Sequence, residues 1–204
     1  MNPDTIADAP PAIPGHRTGR SVLWRWVLLG HLLLAFAAAA EESPTQLEYR
    51  VKAAYLFNFC KFINWPDNAL PTPDSPLVIG VLAGGDALNV ITAAMTGKAV
   101  DQHPVQVRSV TADGELPACH LLFVPRTAGR TAEEVRQAVG SAPVLLVGET
   151  DGFAERGGML GFVHQENRIH FQLHLDRTSG AGFKVSSKLS NVARLVTATA
   201  KFKP

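Results

Sequence analysis

The residue types able to do chemistry are few in this chain, and their spacing argues against most of it. Cys119 and His120 stand side by side, the pairing of a nucleophile with its base. They fall at the start of an apolar strand pattern, where neighbouring side chains point to opposite faces and cannot share a proton. His170 and His174 are four apart, a metal-ligand spacing on a helix, but Ile169, Phe171, Leu173 and Leu175 alternate with them as in a strand. On a strand the two imidazoles attach about 13 Å apart, too far for one ion. No serine sits in a G-x-S-x-G turn, and the carboxylates form no acid/base pair. The expectation is therefore no catalytic residue, no metal and no cofactor.

A binding site is easier to assemble. In Ser179–Leu189, SGAGFKVSSKL, two glycines let backbone approach a ligand, Lys184 carries a charge, and Ser186 and Ser187 open a helix. Free N–H groups at such an end suit a carboxylate or phosphate. The competing expectation is a serine that only caps its helix and a lysine that only meets water. The turn at Gly80–Asp86 lacks the spacing of a dinucleotide or P-loop motif, and any α/β unit needs a glycine turn there.

The element that must organise these residues is Glu48–Pro66, EYRVKAAYLFNFCKFINWP. It reads as one helix, apolar nearly all round between Ala53 and Ile63, ended by Trp65-Pro66. Arg50, Asn58 and Lys61 make a single polar stripe along it. Too short and interrupted for a bilayer, it must be wrapped by the rest of the chain.

Downstream, Leu77–Leu82, Leu121–Val124 and Val144–Val147 are unpatterned apolar runs, as expected of strands covered on both faces. Val105–Val110 alternates. Helices are expected at Ala87–Met95, after the Thr131 cap up to Gly140, and over Lys188–Lys201, where Leu189, Val192, Ala193 and Val196 would be buried. Met159–Val163 and Arg168–Leu175 form a hairpin around His164–Asn167, with Arg168, His170, Gln172 and His174 on its polar face. The pattern predicts an α/β three-layer sandwich: a mostly parallel central sheet, an antiparallel C-terminal hairpin, and helices on both faces.

Arg17, Arg20 and Arg25, an apolar run from Trp26 to Phe36 and Ala37–Ala40 follow the order of a cleaved secretory signal peptide over residues 1–40. Residues 41–47 are a tether and 48–204 a single domain. Removing the leader takes three Arg and two Asp from 19 basic and 18 acidic residues, so the signs balance. Without a basic field, nucleic-acid binding is excluded. Export invites a disulfide between the two cysteines, Cys60 and Cys119. Cys60, mid-helix among aromatics, is equally read as a small buried apolar residue.

EYRVKAAYLFNFCKFINWP, CHLLFV at Cys119–Val124, VLLVGETDGFAERGGMLGFV at Val144–Val163 and NRIHFQLHLDRTSGAGFKVSSKLSNVAR at Asn167–Arg194 resemble, in order, the YfiR-like family of exported bacterial proteins. The resemblance implies a periplasmic α/β protein, often dimeric, without enzymatic activity. It also implies a negative regulator that binds the periplasmic part of an inner-membrane diguanylate cyclase and keeps cyclic di-GMP low, tuned by redox state and small ligands. Lys184 and Ser186 then occupy the block resembling the family's small-ligand region, and Cys119 matches its C-H block, without an assigned partner. The expected partner surfaces are the Arg50/Asn58/Lys61 stripe and the His170/Gln172/His174 face; either could equally be an ordinary solvated face. A small-molecule binding protein built on Gly180–Ser187 is the alternative reading.

Overall fold

The computed structural model describes residues 43–67, 69–72, 74–111 and 119–197, so the leader, the first tether residues and the end of the expected last helix lie outside the described residues. Ser43 opens the organising helix. Its hydroxyl accepts the Gln46 N–H at 3.2 Å, Gln46 Oε1 accepts the Ser43 N–H at 3.3 Å, and Pro44 takes the first helical position. This capping box starts the helix α1 at Pro44, within the expected tether, and α1 runs to Phe62.

The helix also stops short of Trp65-Pro66. Ile63–Asn64 (β1) is extended and pairs antiparallel with Lys184–Val185, forming a separate two-stranded sheet. Trp65 reinforces the exit: its ring meets Phe183 edge-on at 6.0 Å, and its indole N–H donates to the His120 carbonyl at 3.2 Å. A distant strand thus captures β-branched Ile63, whose local alternative was one more helical turn.

The main sheet is built from β2 (Leu77–Leu82), β3 (Ala99–Val100), β4 (His103–Val110), β5 (Leu121–Val124), β6 (Leu145–Gly148), β7 (Leu160–Gln165), β8 (Arg168–Leu173) and β10 (Arg194–Leu195), with β9 (Lys184–Val185) in the small sheet. Its order is β10-β8-β7-β6-β5-β2-β4-β3. Strands β4, β2, β5, β6 and β7 run parallel; β8 returns antiparallel to β7. Every residue of β2, β5 and β6 is buried, as the unpatterned runs required. Helix α2 (Gly85–Met95) carries the chain from β2 to β4, and α3 (Ala132–Val139) from β5 to β6. These crossovers run in opposite directions from β2 and β5, so right-handedness sends α2 and α3 to opposite faces. Helix α1 packs alongside α2. The mostly parallel α/β sandwich is as expected.

Under α1 lies an aromatic cluster. Phe59 meets Phe171 at 5.0 Å and Phe162 at 5.9 Å, Tyr55 meets Phe171 at 5.6 Å, and Phe123 joins Tyr49 to Phe162. Gly148 at the end of β6 and Gly158 on the loop after it make a slot for Phe153: a Cβ on either would stand 2.4 or 2.2 Å from its ring. The hairpin turn is two residues, Glu166 and Asn167, with φ of 50° and 58°, so the strands extend closer to the turn than expected.

The C-terminal segment departs from expectation. Among the described residues of that stretch only Ser187–Ser190 is helical (α5), after a short α4 at Leu175–Gly180, and β10 then joins the sheet beside β8. Leu189 is buried, but Val192 is 70% exposed. Arg194 and Leu195 gain a parallel ladder on β8, which wins over continued helix in a stretch rich in Val and Thr.

Candidate functional site

The most deeply buried charges hold α1 to the sheet. Lys52 lies on the inner face of α1, one turn from Tyr49, and Glu149 follows directly after β6. Their side chains are 3% and 5% exposed, and the ammonium pairs with the Glu149 carboxylate. Lys52 also pairs with Glu48, which accepts from His164 Nε2 at 3.0 Å. Glu149 further accepts the Tyr49 hydroxyl at 3.2 Å and the Arg126 backbone N–H at 2.6 Å, while Arg126 Nη2 donates to the Glu149 carbonyl at 3.1 Å. Arg126 opens the turn after β5, so the network ties α1 to the carboxyl ends of two adjacent parallel strands.

Burial, joined by the Glu149 charge, pushes the Tyr49 phenol well up, so it stays a donor. Burial also opposes the charge on Glu48, but Lys52 and His164 together outweigh it and hold that carboxyl below its ordinary value. Each buried charge meets an opposite charge and further hydrogen bonds, the condition under which such a pair persists. The arrangement is a clamp: it fixes the inner face of α1 and leaves the outer face presented to solvent. Sequence reasoning missed it. The available clue was Lys52 itself, a charge on the face shared by Tyr49, Leu56 and Phe59 and opposite the Arg50/Asn58/Lys61 stripe.

Arg50, Asn58 and Lys61 are all exposed and share the outward side of α1. The second expected surface is not of one kind. His170 is exposed, but Gln172 is 7% and His174 6% exposed, so these two are core residues and not a solvated strand face. The strand ends at Leu173, and His174 turns inward to cap α4, its Nδ1 accepting the Arg177 N–H at 3.2 Å. Burial and the nearby Arg177 guanidinium hold the His174 imidazole below its ordinary pKa. Gln172 donates from Nε2 to Glu155 at 3.1 Å.

The expected ligand residues lie on an outer turn. Lys184 is exposed on β9 opposite Asn64. Ser186 spends its hydroxyl accepting the Lys188 N–H at 3.2 Å, and exposed Ser187 begins a helix of four residues. A cavity of about 510 Å³ lies instead against Glu155, Asp176 and Arg194.

The cysteines are both free and buried, so no disulfide joins them. Burial raises both thiols, Cys119 to about 11. Cys119 packs beneath Gly80, where a Cβ would stand 3.2 Å from its sulfur. Its neighbour His120 is committed elsewhere: Nδ1 accepts the Val78 N–H at 2.9 Å, which leaves Nε2 to donate to the Ala69 carbonyl at 2.9 Å. Among the described residues no cluster of three or more His, Cys, Asp and Glu could hold a metal, and no helix is long and apolar enough to cross a membrane.

No curated protein matches the chain. The sequence profile of the YfiR/HmsC-like family matches residues 49–194, from the Tyr49 of the clamp to the first residue of β10. That family is periplasmic and known for regulating diguanylate cyclases. The match spans most of the chain and every strand of the main sheet up to the start of β10, and on that basis the protein belongs to the YfiR/HmsC-like family.

Proposed function

We propose that this protein is an exported, non-enzymatic negative regulator that binds the periplasmic part of an inner-membrane diguanylate cyclase and restrains cyclic di-GMP synthesis. The observation that carries the reading, beside family membership, is the build of α1: a helix clamped by a buried ion pair on one side and exposed along the other. Recognition surfaces work best on rigid elements, because little conformational freedom is then lost on binding. The residues that resembled catalytic pairs support the same reading, since both ring nitrogens of His120 are used in holding β2 and the Ala69 loop.

The test is affinity purification from detergent-solubilised membranes, with the full chain carrying a C-terminal tag and expressed from its own locus. Recovery of an inner-membrane protein with a periplasmic segment and a cyclase domain is expected, together with a rise in cellular cyclic di-GMP on deletion of the gene. Membranes that yield no such protein, with cyclic di-GMP unchanged in the deletion strain, would overturn the reading.

A further inference from the structure

The outer face of α1 has a defined pattern. Leu47, Val51, Ala54, Asn58 and Lys61 are all exposed and spaced four, three, four, three, the seam of a helix that packs against another helix. The seam runs about 21 Å along α1. Leu47 is 56% and Val51 40% exposed, two of the four large apolar side chains left in solvent among the described residues. Ala54, at the centre, has a side chain small enough for a second helix to approach closely.

The far end of the seam is cationic. The Lys61 and Lys98 ammoniums lie 5.8 and 5.0 Å from the centre of the half-buried Phe57 ring. Both lysines are exposed, and neither forms an ion pair within the described residues. Among the described residues, Glu48 near the other end is turned to Lys52 and His164 and does not neutralise the face. Two positive charges gathered on one ring are an incomplete arrangement, and a carboxylate-bearing partner completes it.

We propose that this seam, with Lys61 and Lys98, seats an amphipathic helix of the regulated partner, antiparallel to α1, with small apolar residues over Leu47–Ala54 and Asp or Glu residues over Lys61 and Lys98. The orientation follows from electrostatics: acidic side chains favour the first turn of a helix, so the partner's N-terminal end lies over the C-terminal end of α1. A second copy of this chain fits badly. Antiparallel self-pairing about Ala54 sets Lys61 against Leu47 and Asn58 against Val51, and parallel self-pairing sets Lys61 against Lys61. The inference rests on the partner-binding reading and specifies where and what that partner touches.

The test places a photo-reactive benzoylphenylalanine at exposed position 58 of the full chain in cells. A second, at exposed Ala93 of α2, serves as control. The expected product is a cross-link from position 58, and not from 93, to a helical segment of a periplasmic domain bearing carboxylates. Lys61→Glu with Lys98→Glu should lower the yield about tenfold, and Ala54→Arg should abolish co-purification. Lysine substitutions at the cross-linked carboxylates should restore binding to the double variant. Unchanged circular dichroism and melting temperature of each variant confirm that its fold is intact. Capture of a cyclase by wild type that all these variants retain would overturn the seam while leaving the regulator reading standing; capture of nothing would overturn the seam, and with cyclic di-GMP also unchanged in the deletion strain it would overturn both. Cross-linking to a second copy, or flotation with phosphatidylglycerol vesicles that Lys61→Glu/Lys98→Glu abolishes, would also overturn the seam.

Discussion

Replacing Lys52 by methionine keeps the length and apolar contacts of the side chain and removes only the ammonium. Glu149, 5% exposed, then loses its ion partner in a site with almost no water. Breaking a buried pair from one side costs about 3–5 kcal/mol. The Tyr49 hydroxyl and Arg126 N–H still donate to the stranded carboxylate, so the cost falls at the lower end, about 3 kcal/mol. Glu149→Gln keeps an oxygen for both donors and leaves Lys52 its exposed-side partner Glu48, so it costs less, about 2 kcal/mol. Urea unfolding of wild type, both single variants and the double variant measures each loss and the coupling between them. Lys52→Met should also lower the melting temperature by about 6–12 °C. The coupling energy should reach about 1.5 kcal/mol or more, because the second substitution removes a partner already stranded by the first. A Lys52→Met loss below about 1 kcal/mol, or coupling within about 0.3 kcal/mol of zero, would refute the clamp.

Two further outcomes follow from particular contacts. His174 is held below its ordinary pKa in the fold, so the unfolded chain takes up a proton that the folded chain refuses; stability is full above about 6.5 and declines as pH falls below it, by at most about 1.4 kcal/mol per pH unit. His174→Asn, which keeps a capping oxygen without a titrating ring, should flatten the stability profile between pH 7 and 5, and an unchanged slope would assign the loss to other groups. Gly148→Ala drives a methyl group into the Phe153 ring and should destabilise the protein by about 2–4 kcal/mol; adding Phe153→Leu should recover part of that, and equal stability of Gly148→Ala and wild type in urea would refute the slot.

Much of this molecule is written locally. Leu77–Leu82 and Leu121–Val124 are strands with the bounds their composition marks, because an apolar run of four to six residues between turns has few other uses. Thr131 and Gly140 bracket α3 as a capping box and a C-terminal glycine do in any context. The outward stripe of Arg50, Asn58 and Lys61 follows from helical period alone.

What the sequence could not settle involves partners far along the chain. Ile63 leaves its helix because Val185 offers a ladder, and Arg194–Leu195 leave theirs because Gln172 and Leu173 do. His174 continues a strand pattern but turns inward, because the Arg177 N–H needs a cap. Lys52 and Glu149, 97 residues apart, are each ordinary surface residues in isolation. Local propensity amounts to tenths of a kcal/mol per residue, whereas a buried charge without its partner costs several. The sequence by itself therefore determined the central strands, the helices α2 and α3, and which side of α1 faces water. Only the tertiary structure decided where those segments end and which charges are buried together, because those outcomes depend on residues that meet only once the chain has folded.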